Sequence, residues 1–559
     1  MSDSASDRTP TPVDAIAEQW VATLVELSPD TATYIGAAGR LDEYQDFSPA
    51  GRERFEAAAR AALAQLAAAT PVDDTDRVTI TDLSAELALD LDLAAAGGDQ
   101  RDLNVLASPA QGIREIFDLM PTATAHDWGI IARKLGNVSD ALEGYADTLR
   151  EGIAAGNTPA RRQVIEVLAQ ARRNAATDGF FPEFASSARV DATGLPESLH
   201  DDLARNAQAA AEAYGVFATF LESELAPAAR EHDAVGRELY TLLSRRFLGA
   251  TIDLDETYEW GVDELQRMVD EQTRVAGEIV PGASVNEAIL FLEKDPSRKL
   301  HGREALKAWM QNLSDTAIAE LSRTHFDIPE PVRELECMIA PTPGGAIYYT
   351  GPTDDFSRPG RMWWSIPEGV DEFDTWRETT TVYHEGVPGH HLQIGQAVYN
   401  RAQLNSWRRL LAGTSGHAEG WALYAERLME ELGYLDDPAD RLGMLDGQRM
   451  RAARVVLDIG VHLGKIHPET GAAWTSDDAF VFMRKNVNMN DAFVTFEVNR
   501  YLGWPGQAPS YKVGQRIWEQ IRDDCKAKEG ASFSNKVFHK DSLDLGGVGL
   551  DTLKLALLG

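Results

Sequence analysis

One short segment, H-E-G-V-P-G-H-H at residues 384–391, brings three imidazoles and a carboxylate within eight positions. A His-Glu pair on a helix begins the zinc-peptidase pattern H-E-x-x-H, in which histidines one helical turn apart bind a single ion. Here Pro388 stands where the second histidine belongs. On an unbroken helix, His390 would face nearly the opposite side and His391 would lie about 10.5 Å further along. We therefore expect the Gly-Val-Pro-Gly stretch to interrupt the helix and to bring His390 or His391 beside His384.

A third ligand must come from elsewhere, because catalytic zinc sites commonly have three protein ligands and one open position. The segment G-H-A-E-G-W-A-L-Y-A-E, residues 416–426, contains Glu419 and Glu426. A hairpin of two helices would return this segment to the histidines, and we expect Glu419 to be the third ligand. Glu426 lies two helical turns further on, where it could orient a ligating histidine. Alternatively, both glutamates form surface ion pairs.

These residues resemble the bacterial domain of unknown function 885 family, whose mark is H-E-x-x-P-G-H-H followed by A-E-G-W-x-x-Y-x-E. Both patterns occur here, at residues 384–391 and 418–426. That family looks like a distant relative of helical zinc peptidases such as thermostable carboxypeptidase and neurolysin. The resemblance implies a mainly α fold of the neurolysin and thermostable-carboxypeptidase type. It also implies that His384, His390 and Glu419 bind one zinc ion. Glu385 would then be the general base, and His391 remains an alternative second ligand.

Peptide hydrolysis also requires a donor for the developing oxyanion. Tyr511, Tyr501 and His462 are candidates, because a phenol or an imidazole N–H can supply that hydrogen bond. Asp458 precedes His462 by four residues on a predicted helix, so it could fix the tautomer of that histidine. Each of these residues could equally be a half-buried packing residue.

Basic residues are relatively concentrated in the same region. Between residues 451 and 520 there are eight Lys and Arg against seven Asp and Glu, whereas the whole chain has 53 against 88. We expect Arg454, Arg500 or Lys512 to bind a substrate carboxylate, since Arg pairs with carboxylates through two hydrogen bonds. Such binding favours a carboxypeptidase or a short-peptide hydrolase. Tyr348, in a short aromatic segment, could bind an extended peptide at a strand edge.

The elements that must position these residues are mainly helices. Residues 13–328 show successive amphipathic helices, such as 52–69, 199–225 and 257–280. Between 329 and 367, the aromatic segments 346–350 and 362–365 predict a small β-hairpin or sheet beside the active-site channel. We expect a polar N-terminal tail at 1–12, a helical scaffold lobe at 13–328 and a catalytic lobe at 329–559, forming one continuous unit.

Composition disfavours several kinds of partner and site. The net charge of −35 disfavours nucleic acid and anionic membrane surfaces as partners. The N-terminus lacks the basic and apolar regions of a secretory signal, and no run approaches the roughly 20 apolar residues of a membrane span, which predicts a cytoplasmic location. Cys337 and Cys525 are too few for a disulfide framework or a thiolate metal site.

The residues and the resemblance together predict a metal-dependent peptidase that hydrolyses short peptides, with one zinc ion per chain. Another divalent metal is an alternative, because His-His-Glu suits several ions. Two other functions remain open: an amidohydrolase acting on a non-peptide amide, and a catalytically silent binding scaffold. The intact Glu385 argues against the scaffold.

Overall fold

Helices make up most of the protein. The computed structural model describes residues 8–190, 194–340 and 347–559, which form 25 α-helices and five short β-strands. The helices of the first part are α1 (Pro12–Leu27), α2 (Asp30–Ile35), α3 (Pro49–Ala68), α4 (Asp74–Ala95), α5 (Pro109–Glu115), α6 (Ala125–Gly136), α7 (Val138–Ala155), α8 (Arg161–Asn174), α9 (Phe180–Ser186), α10 (Glu197–Phe220), α11 (Ala226–Ala228), α12 (Arg237–Leu248), α13 (Leu254–Ile279), α14 (Val285–Leu292) and α15 (Arg303–Thr324). The strands are β1 (Lys299–His301), β2 (Leu335–Ile339), β3 (Tyr348–Thr350), β4 (Gly360–Trp364) and β5 (Glu372–Asp374). The remaining helices are α16 (Thr375–Glu385), α17 (His390–Tyr399), α18 (Ser406–Leu410), α19 (Ser415–Glu431), α20 (Pro438–Leu463), α21 (Ser476–Asn486), α22 (Asp491–Gly503), α23 (Ser510–Glu529), α24 (Asn535–Asp544) and α25 (Leu550–Leu558).

The three amphipathic helices named from the sequence are present, with ends displaced by a few residues. They correspond to α3, to α13, and to α10 together with the π-helical turn Leu221–Leu225 that continues it. Capping side chains set two of these starts. Ser48 accepts the backbone N–H of Gly51 at the start of α3, and Asp253 caps α13 in the same way. The mainly α fold is therefore confirmed.

The small sheet beside α17 has three strands in the order β2-β4-β3. The two predicted segments correspond to β3 and β4, which pair antiparallel, although Ala346 lies outside the described residues. The strand β2 pairs parallel with β4 and was not predicted. Its residues Leu335 and Cys337 are buried at alternating positions, a period-2 pattern too short to identify β2 from sequence. The strands β1 and β5 form a separate antiparallel pair.

The largest buried apolar cluster extends from Tyr240 to Leu553. It therefore includes α12 to α15, from the segment 13–328, as well as the helices of the segment 329–559. A second cluster, between Leu103 and Ala229, forms the interior of the preceding helices. The helices that carry the candidate site residues thus belong to one core that spans both sequence segments.

The first helices pack onto the C-terminal half of the chain. Trp407 of α18 is fully buried in a cluster with Trp20 of α1 and with residues of α3 and α4. The predicted polar tail is described from Arg8 onward. The Arg8 guanidinium contacts three carboxylates, those of Asp14, Asp73 and Asp76, each at 2.6 Å. None of the helices in the described ranges combines the length and apolar character needed to cross a bilayer.

Candidate metal centre

The helix break between α16 and α17 determines where the histidines point. The helix α16 ends at Glu385 and α17 begins at His390. At Gly389 a Cβ would lie 1.8 Å from the carbonyl oxygen of His384, so any side chain there would force this tight junction open. The His384 and His390 rings lie nearly perpendicular with centroids 4.9 Å apart. The interruption expected from Pro388 is present, and it brings His390 beside His384.

Trp421 of α19 holds this junction in place. Its indole N–H contacts two backbone carbonyl oxygens, that of Pro388 at 2.8 Å and that of Gly389 at 3.2 Å. The indole is fully buried, so these carbonyls would otherwise lack a partner where water has no access. Trp421 therefore connects α19, which carries Glu419, to the turn that positions His390.

Glu419 of α19 completes a cluster of three potential ligands. Its Oε2 atom lies 3.3 Å from Nε2 of His384 and 3.6 Å from Nε2 of His390. Three ligand atoms of these residues lie within 4.8 Å of one another. Two ligands bound tetrahedrally at about 2.0–2.1 Å from a zinc ion lie roughly 3.3–3.4 Å apart. The observed separations therefore match those of three groups that share one ion.

The electrostatics of Glu419 favour its charged form. Burial favours the neutral acid, but the neighbouring imidazoles of His384 and His390 outweigh it and hold the pKa of Glu419 well below its usual value. Among the described residues, the buried Oε2 atom accepts no hydrogen bond. A buried carboxylate oxygen without a donor is costly unless a cation binds it. Glu419 is therefore an ionised acceptor oriented towards two imidazole nitrogens.

Glu426 orients His384 from behind. The Nδ1–H group of His384 donates to Oε1 of Glu426 at 2.8 Å, which leaves Nε2 as the free ring atom that faces Glu419. Gln448 of α20 donates its Nε2–H to the other oxygen of Glu426 at 3.2 Å, and Lys512 donates to Oε1 of Gln448 at 2.5 Å. Burial lowers the pKa of His384, but the carboxylates of Glu419 and Glu426 outweigh it and raise that pKa to about 10, so Nε2 carries a hydrogen until a metal ion displaces it. Glu426 therefore has the supporting position expected from the sequence.

Glu385 is the last residue of α16 and follows His384 directly. Its side chain is buried, and its Oε2 atom has no hydrogen-bond partner among the described residues. A carboxylate next to a ligand group and without a donor is available to accept a proton from a water molecule. Its position is thus compatible with the predicted general base.

His391 points away from the cluster. The expectation that it could be an alternative second ligand is therefore wrong. Its Nε2–H group donates to the carbonyl oxygen of Val332 at 2.7 Å. Its Nδ1 atom is therefore unprotonated and accepts the hydroxyl hydrogen of Tyr349 at 2.9 Å. Burial lowers the pKa of His391 to about 4, so the ring is neutral and both nitrogens are engaged. This histidine links α17 to β3 and to the segment before β2.

Tyr511 lies near Glu419, which is compatible with its predicted role as an oxyanion donor. Burial raises the pKa of its phenol to about 12, and the nearby carboxylate of Glu419 adds to the shift. No hydrogen bond of its hydroxyl is found within the described part of the chain. The hydroxyl is therefore protonated at neutral pH, close to Glu419, and free to donate.

Three glycines bring Tyr511 and Glu419 close together. A Cβ at Gly420 of α19 would lie 2.5 Å from the backbone carbon of Gly514 in α23, and one at Gly514 would lie 2.4 Å from the oxygen of Gly416. The two helices therefore cross at backbone contact. Ser415 and Ser510, at the first positions of these helices, hydrogen-bond through their hydroxyls at 2.7 Å.

Tyr501, Arg454 and Arg500 form a closed network around Glu497, and their expected roles are corrected accordingly. The Tyr501 hydroxyl donates to Oε2 of Glu497 and accepts from Nε of Arg454 at 2.6 Å. Arg454 also contacts Oε2 of Glu497 at 2.7 Å, and Arg500 contacts the same oxygen at 2.8 Å. Buried and paired in this way, the phenol is not free for an oxyanion, and neither guanidinium is free for a substrate carboxylate.

Lys512 is likewise engaged. Its ammonium group contacts Glu264 at 3.0 Å, Gln448 at 2.5 Å and Gln515 at 3.0 Å. These three contacts use all three of its N–H donors. Its side chain is buried, and it therefore supports Gln448 and Glu426 instead of binding substrate.

His462 does not have the partner predicted for it. Its Nε2–H group donates to the carbonyl oxygen of Tyr501 at 3.1 Å, and burial lowers its pKa to about 4. Asp458 instead accepts the Tyr240 hydroxyl at 2.6 Å and the Gly506 backbone N–H at 3.0 Å. Because its only N–H is already bonded, His462 cannot also donate to an oxyanion.

Tyr348 lies on the edge strand β3, partly exposed at 41%. Its ring stacks on that of Trp363 in β4 with centroids 6.1 Å apart. The strand is joined to α17 through the hydrogen bond of Tyr349 to His391. Tyr348 thus presents an exposed aromatic ring on an edge strand that is attached to the helix of His390. This position is compatible with its predicted role in peptide binding.

Four residues of this neighbourhood were not identified from the sequence: Trp421, Gln448, Arg451 and Glu497. Gln448 and Arg451 are three residues apart on α20, so they occupy neighbouring positions on one helix face. The signal that could have revealed Trp421 is its place within the A-E-G-W segment. Glu497 lies four residues before Tyr501, a spacing that also indicates contact on a helix.

The described fold and this cluster define a mainly helical protein with a candidate His-His-Glu metal centre. The chain belongs to the family described as bacterial protein of unknown function (DUF885), which matches residues 29–557. The family predicted from the two motifs is thereby confirmed. No protein among the curated ones matches the chain.

Two solved structures share this fold. One is "the putative lipoprotein from Colwellia psychrerythraea", with a TM-score of 0.82, 22% sequence identity and 98% of each chain covered. The other is "a putative lipoprotein of unknown function from Shewanella oneidensis", with a TM-score of 0.77 and 17% identity. It covers 98% of this chain and 100% of that one. At these identities the likeness establishes the fold alone.

Proposed function

We propose that this protein is a zinc-dependent metallopeptidase that hydrolyses short peptides, with His384, His390 and Glu419 as the metal ligands. The observation that carries the proposal is the spacing of 3.3 Å and 3.6 Å between the Glu419 oxygen and the two imidazole nitrogens. That oxygen lacks a hydrogen-bond donor within the described residues. The donor set fits zinc, which binds His nitrogen and carboxylate oxygen and leaves one position open.

The fold is compatible with a distant relationship to the helical zinc peptidases. A mainly helical protein with a small sheet beside the site is what a distant relationship to neurolysin and thermostable carboxypeptidase implies. In this proposal Glu419 corresponds to the later helical ligand of those enzymes.

The protein residues would divide the chemistry as follows. A bound zinc ion would supply a positive charge that acidifies water and polarises a carbonyl group. Glu385 would accept the proton of the attacking water and pass it to the leaving amine. Tyr511 would donate its hydroxyl hydrogen to the oxygen that gains negative charge. Glu426 would keep His384 in the tautomer whose Nε2 is free.

The proposal is tested by metal content and peptide hydrolysis together. Protein purified without chelators is expected to contain one zinc ion per chain by elemental mass spectrometry, and to cleave members of a peptide library. Glu385→Gln should retain the metal and lose about 10²- to 10⁴-fold in kcat. Glu419→Gln should lose both. Glu431→Gln, at the exposed end of the same helix, is the matched control.

Each alternative has its own outcome in this experiment. A full complement of metal with hydrolysis of small amides but of no peptide would indicate an amidohydrolase. Metal without any hydrolysis would indicate a binding scaffold. Protein that binds no divalent metal at all would refute the proposal.

We also propose a cytoplasmic location, on the basis of the net charge of −35, which disfavours contact with anionic membrane surfaces. The description of both structural relatives as "putative lipoprotein" points the other way. Fractionation of the producing cells with an antibody against the protein distinguishes the two, because a lipoprotein would sediment with membranes.

A further inference from the structure

Of five basic residues near Glu426 and Tyr511, four are held by carboxylates in the described structure; the five are Arg427, Arg451, Arg454, Arg500 and Lys512. Arg427 contacts Glu271 at 2.8 Å and Glu430 at 2.6 Å. Lys512 contacts Glu264, and the pair Arg454 and Arg500 shares Glu497. These cations therefore already have their counter-charges, and a substrate carboxylate would have to displace one of them.

Arg451 is the exception. Within residues 8–190, 194–340 and 347–559, no carboxylate oxygen lies within 4.0 Å of its guanidinium and no hydrogen bond of that group is found. Its Nε atom is buried without a partner. Leaving a guanidinium N–H unpaired in a buried place is unfavourable unless a ligand satisfies it. Arg451 is thus a positive charge without a hydrogen-bonded partner in the described structure, whereas the other four charges are neutralised.

Arg451 lies beside residues that surround the candidate metal centre. It follows Gln448, which hydrogen-bonds Glu426, by three residues on α20. Its guanidinium carbon lies 5.9 Å from the centre of the Tyr511 ring. The charge of Arg451 also contributes to lowering the pKa of the Glu426 carboxyl group. The free guanidinium therefore lies near the ring of the proposed oxyanion donor and acts electrostatically on the group that orients His384.

A neighbouring glycine makes room for the guanidinium. A Cβ at Gly447 would lie 2.7 Å from Nη1 of Arg451. Even the smallest side chain at this position would press against the charged group. The backbone of α20 thus leaves space for this orientation of Arg451.

We propose that Arg451 binds the C-terminal carboxylate of the peptide substrate, which would make the protein a peptidase that cleaves close to a free C-terminus. This inference rests on the proposed function. Arginine suits the role because its planar guanidinium forms two parallel hydrogen bonds with a carboxylate. Arg451 would replace Arg454, Arg500 and Lys512, the candidates from the sequence, because their charges are already paired.

Hydrolysis of matched peptides tests the inference. One peptide sequence is prepared with a free C-terminal carboxylate and with a C-terminal amide, and KM and kcat are measured for both. The wild-type protein should prefer the free acid. Arg451→Gln should raise KM for the free acid by roughly 10- to 100-fold and leave the amide nearly unchanged. Arg451→Lys should retain part of the preference.

Two further variants control for folding. Arg441→Gln removes an arginine from the same helix, but one that is paired with Glu278 at 2.6 Å, and its preference should equal that of the wild type. Gly447→Ala keeps the arginine and crowds its guanidinium, so it should weaken the preference without removing a charge. Metal content and thermal unfolding are recorded for each protein.

A binding measurement separates this inference from the proposed function. The Glu385→Gln protein, with and without Arg451→Gln, is titrated with both peptides by calorimetry. Tighter binding of the free acid that disappears with Arg451→Gln supports the carboxylate site even if the wild type hydrolyses neither peptide. An unchanged preference for the free acid in folded, metal-containing Arg451→Gln, or no preference in the wild type, overturns it.

Discussion

Replacing Glu426 by glutamine should weaken metal binding without removing any ligand. The Glu426 side chain is 2% exposed and accepts Nδ1–H of His384 at 2.8 Å. Glutamine has nearly the same shape, and its carbonyl oxygen can still accept this hydrogen. Its amide group, however, would then face the Nε2–H of Gln448, which now donates to Glu426 at 3.2 Å. Two donors would confront each other, and Gln448 cannot rotate freely because its oxygen accepts from Lys512.

The expected size follows from these contacts. A hydrogen bond to a charged group contributes about 1.5–3 kcal/mol, and a neutral one about 0.5–1.5 kcal/mol. The difference of about 1–1.5 kcal/mol is the loss at His384, and the confronted amide groups increase it. Partners behind a ligand typically change metal affinity by 10- to 100-fold, or about 1.4–2.7 kcal/mol. We expect the Kd for zinc to rise by roughly 10- to 50-fold.

The assay is a titration of metal-free protein with zinc in competition with a chelator of known affinity at pH 7. Glu431→Gln is the control, because this side chain of the same helix is 54% exposed and contacts Arg522. Its Kd should equal that of the wild type. If Glu426→Gln bound zinc within twofold of the wild type, Glu426 would not support the ligand, and the assignment of the His384 tautomer would be wrong.

Four further outcomes follow from the structure. Gly420→Ala should lower the free energy of unfolding by about 1–3 kcal/mol in chemical denaturation, because its Cβ would lie 2.5 Å from the Gly514 backbone. Tyr511→Phe should reduce kcat about 10²- to 10³-fold in peptide hydrolysis with zinc content unchanged; an equal kcat would exclude the oxyanion role. His391→Gln should still bind one zinc ion by elemental analysis, and loss of the metal in a folded variant would contradict its assignment. Burial raises the pKa of Asp458 from 3.8 to about 7. Its stabilising contribution is therefore complete below pH 3.8 and lost as the pH rises through 7, so thermal unfolding of Asp458→Asn should depend less on pH between 5 and 8 than that of the wild type.

Local sequence patterns predicted the part of the site that local geometry decides. Pro388 cannot continue the hydrogen bonding of α16, and the interrupted helix follows from that property alone. The spacing of Glu419 from the histidines suggested a returning helix, and α19 is that helix. The mainly α fold followed from amphipathic periodicity in the same way.

The remaining errors concern partners that are distant in sequence. The choice between His390 and His391 depends on Val332 and Tyr349, which no pattern around residue 391 indicates. The spacing of Asp458 and His462 correctly places them one turn apart on α20. Asp458 nevertheless forms a hydrogen bond with Tyr240, which lies 218 residues earlier in the chain. Free and paired arginines likewise cannot be distinguished until the helices are packed.

The apolar core around Trp20 is completed late in protein synthesis. Its helices α1, α3 and α4 all end by Ala95, but the tryptophan that fills their centre is Trp407. At 5–20 residues per second, a ribosome needs roughly 15 to 60 s to make the intervening chain. During that time the three helices can pack against one another, but the part of their inner face that Trp407 covers has no permanent partner. The nascent chain must therefore keep this face covered by transient contacts or by chaperones until α18 has emerged.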